Sequence, residues 1–307
     1  MPYTTGEATN IYDLLEAIDS FVTSQAGWIK LWSKTYPYLE EDRLNNVIWM
    51  APGDGNDKIY MNMRVPTDGT GNIMMLDAYA GYDEKLFYWE QPGSIQQWLK
   101  SEGEAEVNQP AFTVTTQEKY FYWIFANSYR LIVVARMSIV YESLHIGFLN
   151  PVSSERQYPY PMYVAGNTIA KGPTWNGNVT GSFIFPRGDT GWLRRADGTW
   201  RSFDSPGQFP DWKKLGTVFP YTACNKLLVP NYLPSELGVQ DNLLLIPIML
   251  MTNDPIDVNG LIRGGYWVSG TRDVAAEQIV TFNDTSFMIF DNKQDRGSNT
   301  YFCVELA

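Results

Sequence analysis

Cysteine and histidine are almost missing from this chain. Among its 307 residues only Cys224, Cys303 and His145 carry thiol or imidazole groups. Two widely separated cysteines give neither a disulfide framework nor a CxxC pair for zinc or redox work, and a reduced cytoplasm is the expected place of synthesis. A lone histidine leaves few ways to build a metal centre or a nucleophile–base couple, and His145, between Leu144 and Ile146 in an alternating stretch, reads as structural. Basic charge is also scarce: 23 Lys and Arg stand against 34 Asp and Glu, for a net charge of -11 and a pI of about 4.6. That argues against the basic groove of a nucleic-acid binder. The only adjacent basic pairs are Arg194-Arg195 and Lys213-Lys214. No apolar run reaches the roughly 18 residues of a spanning helix, and the best candidate, Leu243 to Met251, is broken by Pro247. No basic-then-apolar leader opens the sequence, so a soluble, unprocessed protein is expected.

Short motifs that suggest chemistry read as turns. Asp54-Gly55-Asn56-Asp57 has calcium-type oxygens without the bidentate Glu that closes such a loop. Gly53-Asp54-Gly55 and Gly264-Gly265 lack the Lys-Ser/Thr and the strand-then-helix setting of a phosphate loop. Arg187-Gly188-Asp189 spells an adhesion tripeptide and is expected as a turn between strands. No catalytic, cofactor-binding or metal-binding residue is assigned, no cofactor is expected, and the protein is expected not to be an enzyme.

Apolar residues make up 44% of the chain and aromatics 15%, enough for a large core. The stretch Phe121 to Gly166 organises the rest: three β-branched and aromatic runs, a polar corner at Asn127-Ser128, then Tyr158-Pro159-Tyr160-Pro161. It reads as a strand meander acting as a rigid scaffold. One amphipathic helix is expected over 9–23, with Ile11, Leu14, Leu15, Ile18, Phe21 and Val22 on one face and Thr9 or Asn10 as cap. Strands are expected at Trp28 to Trp32, Val47 to Met50, Lys58 to Val65, Ile73 to Tyr79 and Leu86 to Trp89. Lys58 to Val65 and Ile73 to Tyr79 form a hairpin across Asp68-Gly69-Thr70-Gly71. Later strands are expected at Ser182 to Phe185, Trp192 to Arg194 and Thr199 to Phe203, the last two joined by an Asp197-Gly198 turn. Leu243 to Met251, Ile262 to Val268, Gln278 to Phe282, Ser286 to Phe290 and Tyr301 to Leu306 complete the set. The fold class is therefore mainly β: a β-sandwich or barrel with one N-terminal amphipathic helix (1–25), a main β domain (26–165 and 241–307) and a turn-rich inserted β subdomain (166–240). Two tandem β domains are the alternative.

Several strings carry a family resemblance. Tyr120 to Asn127 with Arg130, Gly147-Phe148-Leu149-Asn150-Pro151, Tyr158-Pro159-Tyr160-Pro161 and Gly166 resemble structural proteins of tailed bacteriophage virions. So do Gly260-Leu261-Ile262-Arg263-Gly264, Trp267-Val268 and Ile289-Phe290-Asp291-Asn292. The resemblance spans most of the meander and the C-terminal third. It implies a ring-forming or trimeric part of the tail, baseplate or neck, with no catalytic residues. Partners would be other copies of the chain and neighbouring tail or neck proteins, with no nucleic acid and no membrane. The protein would be made in the host bacterial cytoplasm and end in the virion. The alternatives are a neck, collar or head-decoration component, a receptor- or carbohydrate-binding module built on exposed Trp175, Trp192 and Trp200, and a glycoside hydrolase with two facing carboxylates.

Overall fold

A computed structural model describes residues 2–38, 41–66, 72–101, 109–114, 119–152, 160–169, 182–184, 190–203, 216–219, 244–253, 256–269, 274–292 and 301–306. The chain runs through β1 (Tyr3–Ala8), α1 (Ile11–Ser24), β2 (Ile29–Tyr38), β3 (Glu41–Asp54), β4 (Asp57–Arg64) and β5 (Ile73–Tyr79). A 3-10 turn at Tyr88–Glu90 and the short α2 (Ile95–Ser101) precede β6 (Pro110–Thr113), β7 (Tyr120–Asn127), β8 (Arg130–Met137) and β9 (Val140–Asn150). Then come β10 (Met162–Ala165), β11 (Thr168–Ile169), β12 (Gly191–Arg194), β13 (Trp200–Phe203) and β14 (Gly216–Phe219). The last strands are β15 (Leu244–Asn253), β16 (Ile256–Ser269), β17 (Ile279–Phe282), β18 (Thr285–Asp291) and β19 (Tyr301–Glu305).

The protein is mainly β, and its larger sheet curls into a half-barrel. That 13-stranded sheet has the path β1-β7-β8-β9-β16-β19-β18-β17, with β10, β12 and β13 branching from β9, and β14 and β15 from β16. The second sheet has six strands in the order β11-β6-β5-β4-β3-β2. All the pairings are antiparallel, and β9 meets β16 over only two positions, Leu149↔Ile262 and Asn150↔Leu261. So narrow a hinge lets the strands beyond it fold back over the strands before it.

This doubling explains the composition of the meander. Leu131, Val133, Leu144, Ile146 and Phe148 face one core, shared with α1 and the inner side of the six-stranded sheet. Ile132, Val134, Tyr141 and Leu149 face a second core, shared with β16, β18 and β19. A sheet covered on both sides gains from apolar residues at every position, so β8 reads RLIVVARM without polar alternation. On β4, by contrast, Ile59, Met61 and Met63 alone point into the first core, and the strand alternates.

Helix α1 begins where Asn10 Oδ1 accepts the Asp13 amide and Asp13 returns the bond to the Thr9 amide, at 2.9 and 2.8 Å. Ile11, Leu14, Leu15, Ile18, Phe21 and Val22 are buried against the first core. Arg43 of β3 reaches Asp13 and Glu16 at 2.5 and 2.8 Å, and Trp49 Nε1 donates to Asp19 at 2.8 Å, fastening the helix to the smaller sheet.

Some strand expectations fail. Leu86 to Trp89 is a bend entering the 3-10 turn, because the buried Gln91 amide donates to the carbonyls of Asp83 and Leu86 at 2.9 Å each and curls the backbone round itself. Ser182 to Ile184 is a single bridge and a turn. Trp28 precedes its strand and is buried, with its indole donating to the Asn127 carbonyl at 2.7 Å. By contrast, β4 and β5 pair as expected, and so do β12 and β13 across Asp197-Gly198. The expected Asp68-Gly69-Thr70-Gly71 turn lies outside the described residues, as does most of 166–240.

Candidate functional site

Asn127, Arg130, Gly147, Tyr160, Arg263 and Gly264, far apart in sequence, come together at one corner, between β7 and β8. Asn127 Oδ1 accepts the amides of Tyr129 and Arg130 at 3.0 and 3.1 Å, an Asx-type turn that aims Arg130 inward. The Arg130 side chain is 1% exposed. Gly264, with φ +62°, lies so close that a Cβ there would stand 1.5 Å from Arg130 Nη1. Gly147 pairs directly opposite Arg130, and a Cβ there would stand 2.7 Å from the arginine Cβ. Burial lowers the Arg130 pKa, against the attraction of Glu305. The turn between β3 and β4 docks on the same corner. The Gly53 amide donates to the Ser128 carbonyl at 2.6 Å, and Arg263 lies 4.3 Å from the Tyr129 ring while reaching Asp54 Oδ2 at 3.3 Å. Asp57 Oδ2 accepts the Tyr160 amide at 2.7 Å. The motif residues thus lock the two sheets together, and Asp54-Gly55-Asn56-Asp57 is the hairpin turn that supplies two of the ties.

His145 sits behind this corner, fully buried, with Nδ1 3.2 Å from the Tyr163 carbonyl and its ring stacked on Phe183 at 5.7 Å. Burial, then the nearby Arg130 charge, pull its pKa down to about 3, so the ring is neutral and Nδ1 carries the proton. Cys303 is buried on β19, and burial pushes its thiol pKa well up. Trp192 and Trp200 do not form an exposed platform. They are 6% and 1% exposed within the first core, and the Trp200 indole donates to the Gly93 carbonyl at 3.0 Å. Trp175, Cys224 and Arg187-Gly188-Asp189 lie outside the described residues.

Two buried acids escaped the sequence reading. Asp77 points away from the first core, since its neighbours Leu76 and Ala78 point into it. It stands directly opposite Asn62 on β4, whose amide donates to Asn46 Oδ1 at 2.6 Å. Asp77 Oδ1 accepts the Ala78 and Ile95 amides at 2.8 and 2.9 Å, which seats α2 on the sheet. Arg64 follows on the same face of β4, its guanidinium 5.1 Å from the Tyr88 ring. Asp77 Oδ2, Tyr79 Oη, Arg64 Nε and Gln96 Nε2 are buried without a hydrogen-bond partner among the described residues. Burial raises the Asp77 pKa to about 8 against the pull of those amides and Arg64. Glu142 on β9 shares a face with Leu144 and Ile146, inside the first core. Burial lifts it to about 8 as well, opposed by a hydrogen bond from Asn167. Asn167 in turn exchanges two bonds with the Thr113 backbone, at 2.8 and 2.9 Å, tying β6 to the larger sheet. Asp77 and Glu142 point to opposite sides of the six-stranded sheet, so they do not flank one cleft. In sequence the only signal was an acid inside each of two apolar runs, IMMLDAY and VYESLHIGF.

The surface carries the opposite chemistry. Among the described residues, large apolar side chains are exposed on strands that end a sheet, Ile29, Trp32 and Tyr36 on β2, Ile279 and Phe282 on β17 and Tyr3 on β1, and also at Leu86, Phe121, Ile139 and Val152 elsewhere. Phe87 is 62% exposed and stacks on Trp89 with ring centroids 4.6 Å apart. Among the described residues no cluster of three or more His, Cys, Asp or Glu is placed to hold a metal, and no helix is long and apolar enough to cross a membrane. No known family model matches the chain, and no curated protein matches it.

Proposed function

We propose that this protein is a structural component of a tailed bacteriophage virion, acting by assembly into the tail or baseplate with no bond made or broken on it. The observation that carries the reading is the division of chemistry. Asp77, Glu142 and His145 are buried among the strands, while large apolar side chains stand exposed, six of them on strands that end a sheet among the described residues. Exposed apolar edges are costly for a free monomer and useful to a subunit that will bury them. The phage assignment itself rests on the sequence resemblance, whose strings supply the corner around Arg130. In this reading the body is a β-sandwich or barrel-like domain, with the N-terminal helix packed on it and a turn-rich insertion at 166–240. The protein is made in the bacterial cytoplasm and ends in the particle, beside copies of itself and other tail or neck proteins.

The test joins light scattering of the purified chain with mass spectrometry of whole phage particles. Self-association and presence in particles are expected; a monomer absent from particles would overturn the reading. A glycan-binding module is the second reading, favoured by the exposed Phe87–Trp89 stack, since flat aromatic pairs accept sugar faces. Glycan binding abolished by Phe87→Ala would select it.

A further inference from the structure

Among the described residues, β2 is the longest strand that ends a sheet. It is ten residues long and, among the described residues, pairs only with β3. Trp32 to Pro37 are exposed without interruption, so neither face of the strand is covered there. The first four residues of β3 pair with β2 alone, because β4 joins only from Asn46 onward. The tip of this ribbon therefore projects past the rest of the sheet. It is held firmly at its base: Lys30 pairs with Asp19 at 2.5 Å, and Arg43 with Asp13 and Glu16.

Charge narrows what can bind there. The strand, IKLWSKTYPY, has two lysines and no acid in a chain of net charge -11; Lys30 is held by Asp19, which leaves Lys34 as the charge on its exposed stretch. Two bulges, at Lys30/Trp32 and Lys34/Thr35, and Pro37 near the tip guard the edge against indiscriminate pairing. Two copies of β2 laid edge to edge would bring lysines together and repel. A strand of opposite charge suits the same edge. Strand β1, YTTGEA, is such a strand: among the described residues its outer edge is unpaired, and its one charge is the exposed Glu7, whose pair with Lys119 at 3.6 Å is a solvent-facing contact of the weak, exchangeable kind.

We propose that the outer edge of β2 receives β1 of a second copy of this chain, head to tail, adding a strand across the contact. Such a heterologous contact repeats from copy to copy and closes into a ring when the rotation allows. Ile29, Trp32 and Tyr36 then supply apolar area beside the backbone bonds. The proposal rests on the assembly reading and names the surface it would use.

The test uses the full chain and light scattering over a concentration series. Lys34→Glu is expected to weaken self-association by about tenfold or more, as reversing a charge at a complementary contact does. Added salt is expected to weaken the wild type, and Glu7→Lys combined with Lys34→Glu to restore association. Both positions are exposed, so the melting temperature should hold in each variant and thereby exclude misfolding. An oligomer indifferent to Lys34→Glu overturns this contact and leaves the assembly reading standing. Loss without rescue by Glu7→Lys overturns β1 as the partner strand. A chain that stays monomeric at all concentrations overturns this contact, and the assembly reading falls with it only if the chain is also absent from whole particles.

Discussion

Gly264 shows how a single missing methyl decides a neighbourhood. Its backbone is in the left-handed region and its Cα touches the Arg130 guanidinium, so Gly264→Ala must both strain the backbone and displace a buried charge. A loss of about 2–4 kcal/mol is expected in chemical denaturation. Gly198 has φ +82° but open space around it, and Gly198→Ala should lose only about 1 kcal/mol. Equal losses at the two sites would show that the Arg130 contact contributes nothing. The buried acids make a pH prediction. Asp77 and Glu142 have folded pKa values near 8, above the unfolded carboxylate range, so the stability they contribute is complete below about pH 4 and declines as pH rises to about 8. His145, depressed from 6.5 to about 3, acts oppositely and loses stability as pH falls through that window. Above pH 6.5 the histidine no longer opposes the acids. Stability should therefore fall most steeply between about pH 6.5 and 8, by up to ~1.4 kcal/mol per pH unit for each acid. Asp77→Asn and Glu142→Gln should each flatten that slope in melting curves. A wild-type curve flat from pH 6 to 9 would mean that both groups are ionised in the fold. Neither acid was legible in the sequence, since an acid in an apolar run becomes a tie only when its partner strand is known.

Elements were legible where the local pattern alone sets the outcome. The alternation in KIYMNMRV placed β4 and its inward face, and Asp197-Gly198 placed the β12–β13 hairpin. Elements fixed by distant partners were not. Strand β1 reads as polar and gives no strand signal, yet it pairs with β7 over six positions because the edge of β7 is there to receive it. Leu86 to Trp89 was missed for another reason: its residues are strand-like, but the nearby Gln91 side chain bends the backbone through hydrogen bonds that no periodicity announces. Helix α1 yields a test of its own. Leu14 is fully buried in the first core, so Leu14→Asp should lower the stability of the isolated chain by about 3–5 kcal/mol. If melting is unchanged while assembly fails, that face serves a partner and not its own domain.

At the scale of the whole molecule, the two-sided burial of the meander was hinted at by composition but its cause was hidden. The run LIVVA in β8 announces burial on both faces, and nothing local says which strands supply the second cover. Those strands, β16, β18 and β19, lie more than a hundred residues downstream. A chain stopped after residue 240 keeps the first core and exposes Ile132, Val134, Tyr141 and Leu149. It should bind a hydrophobic dye strongly and aggregate, and a soluble, dye-silent fragment would contradict the double cover.

That late cover has a consequence for how the protein is made. Ribosomes deliver the meander and its first blanket early, but the second side stays naked until the final stretch has emerged. During that interval a nascent chain offers an oily wall to every neighbour, including sister chains on the same message. Slower synthesis, or a chaperone at the exit tunnel, should therefore change the yield of this protein more than its final stability.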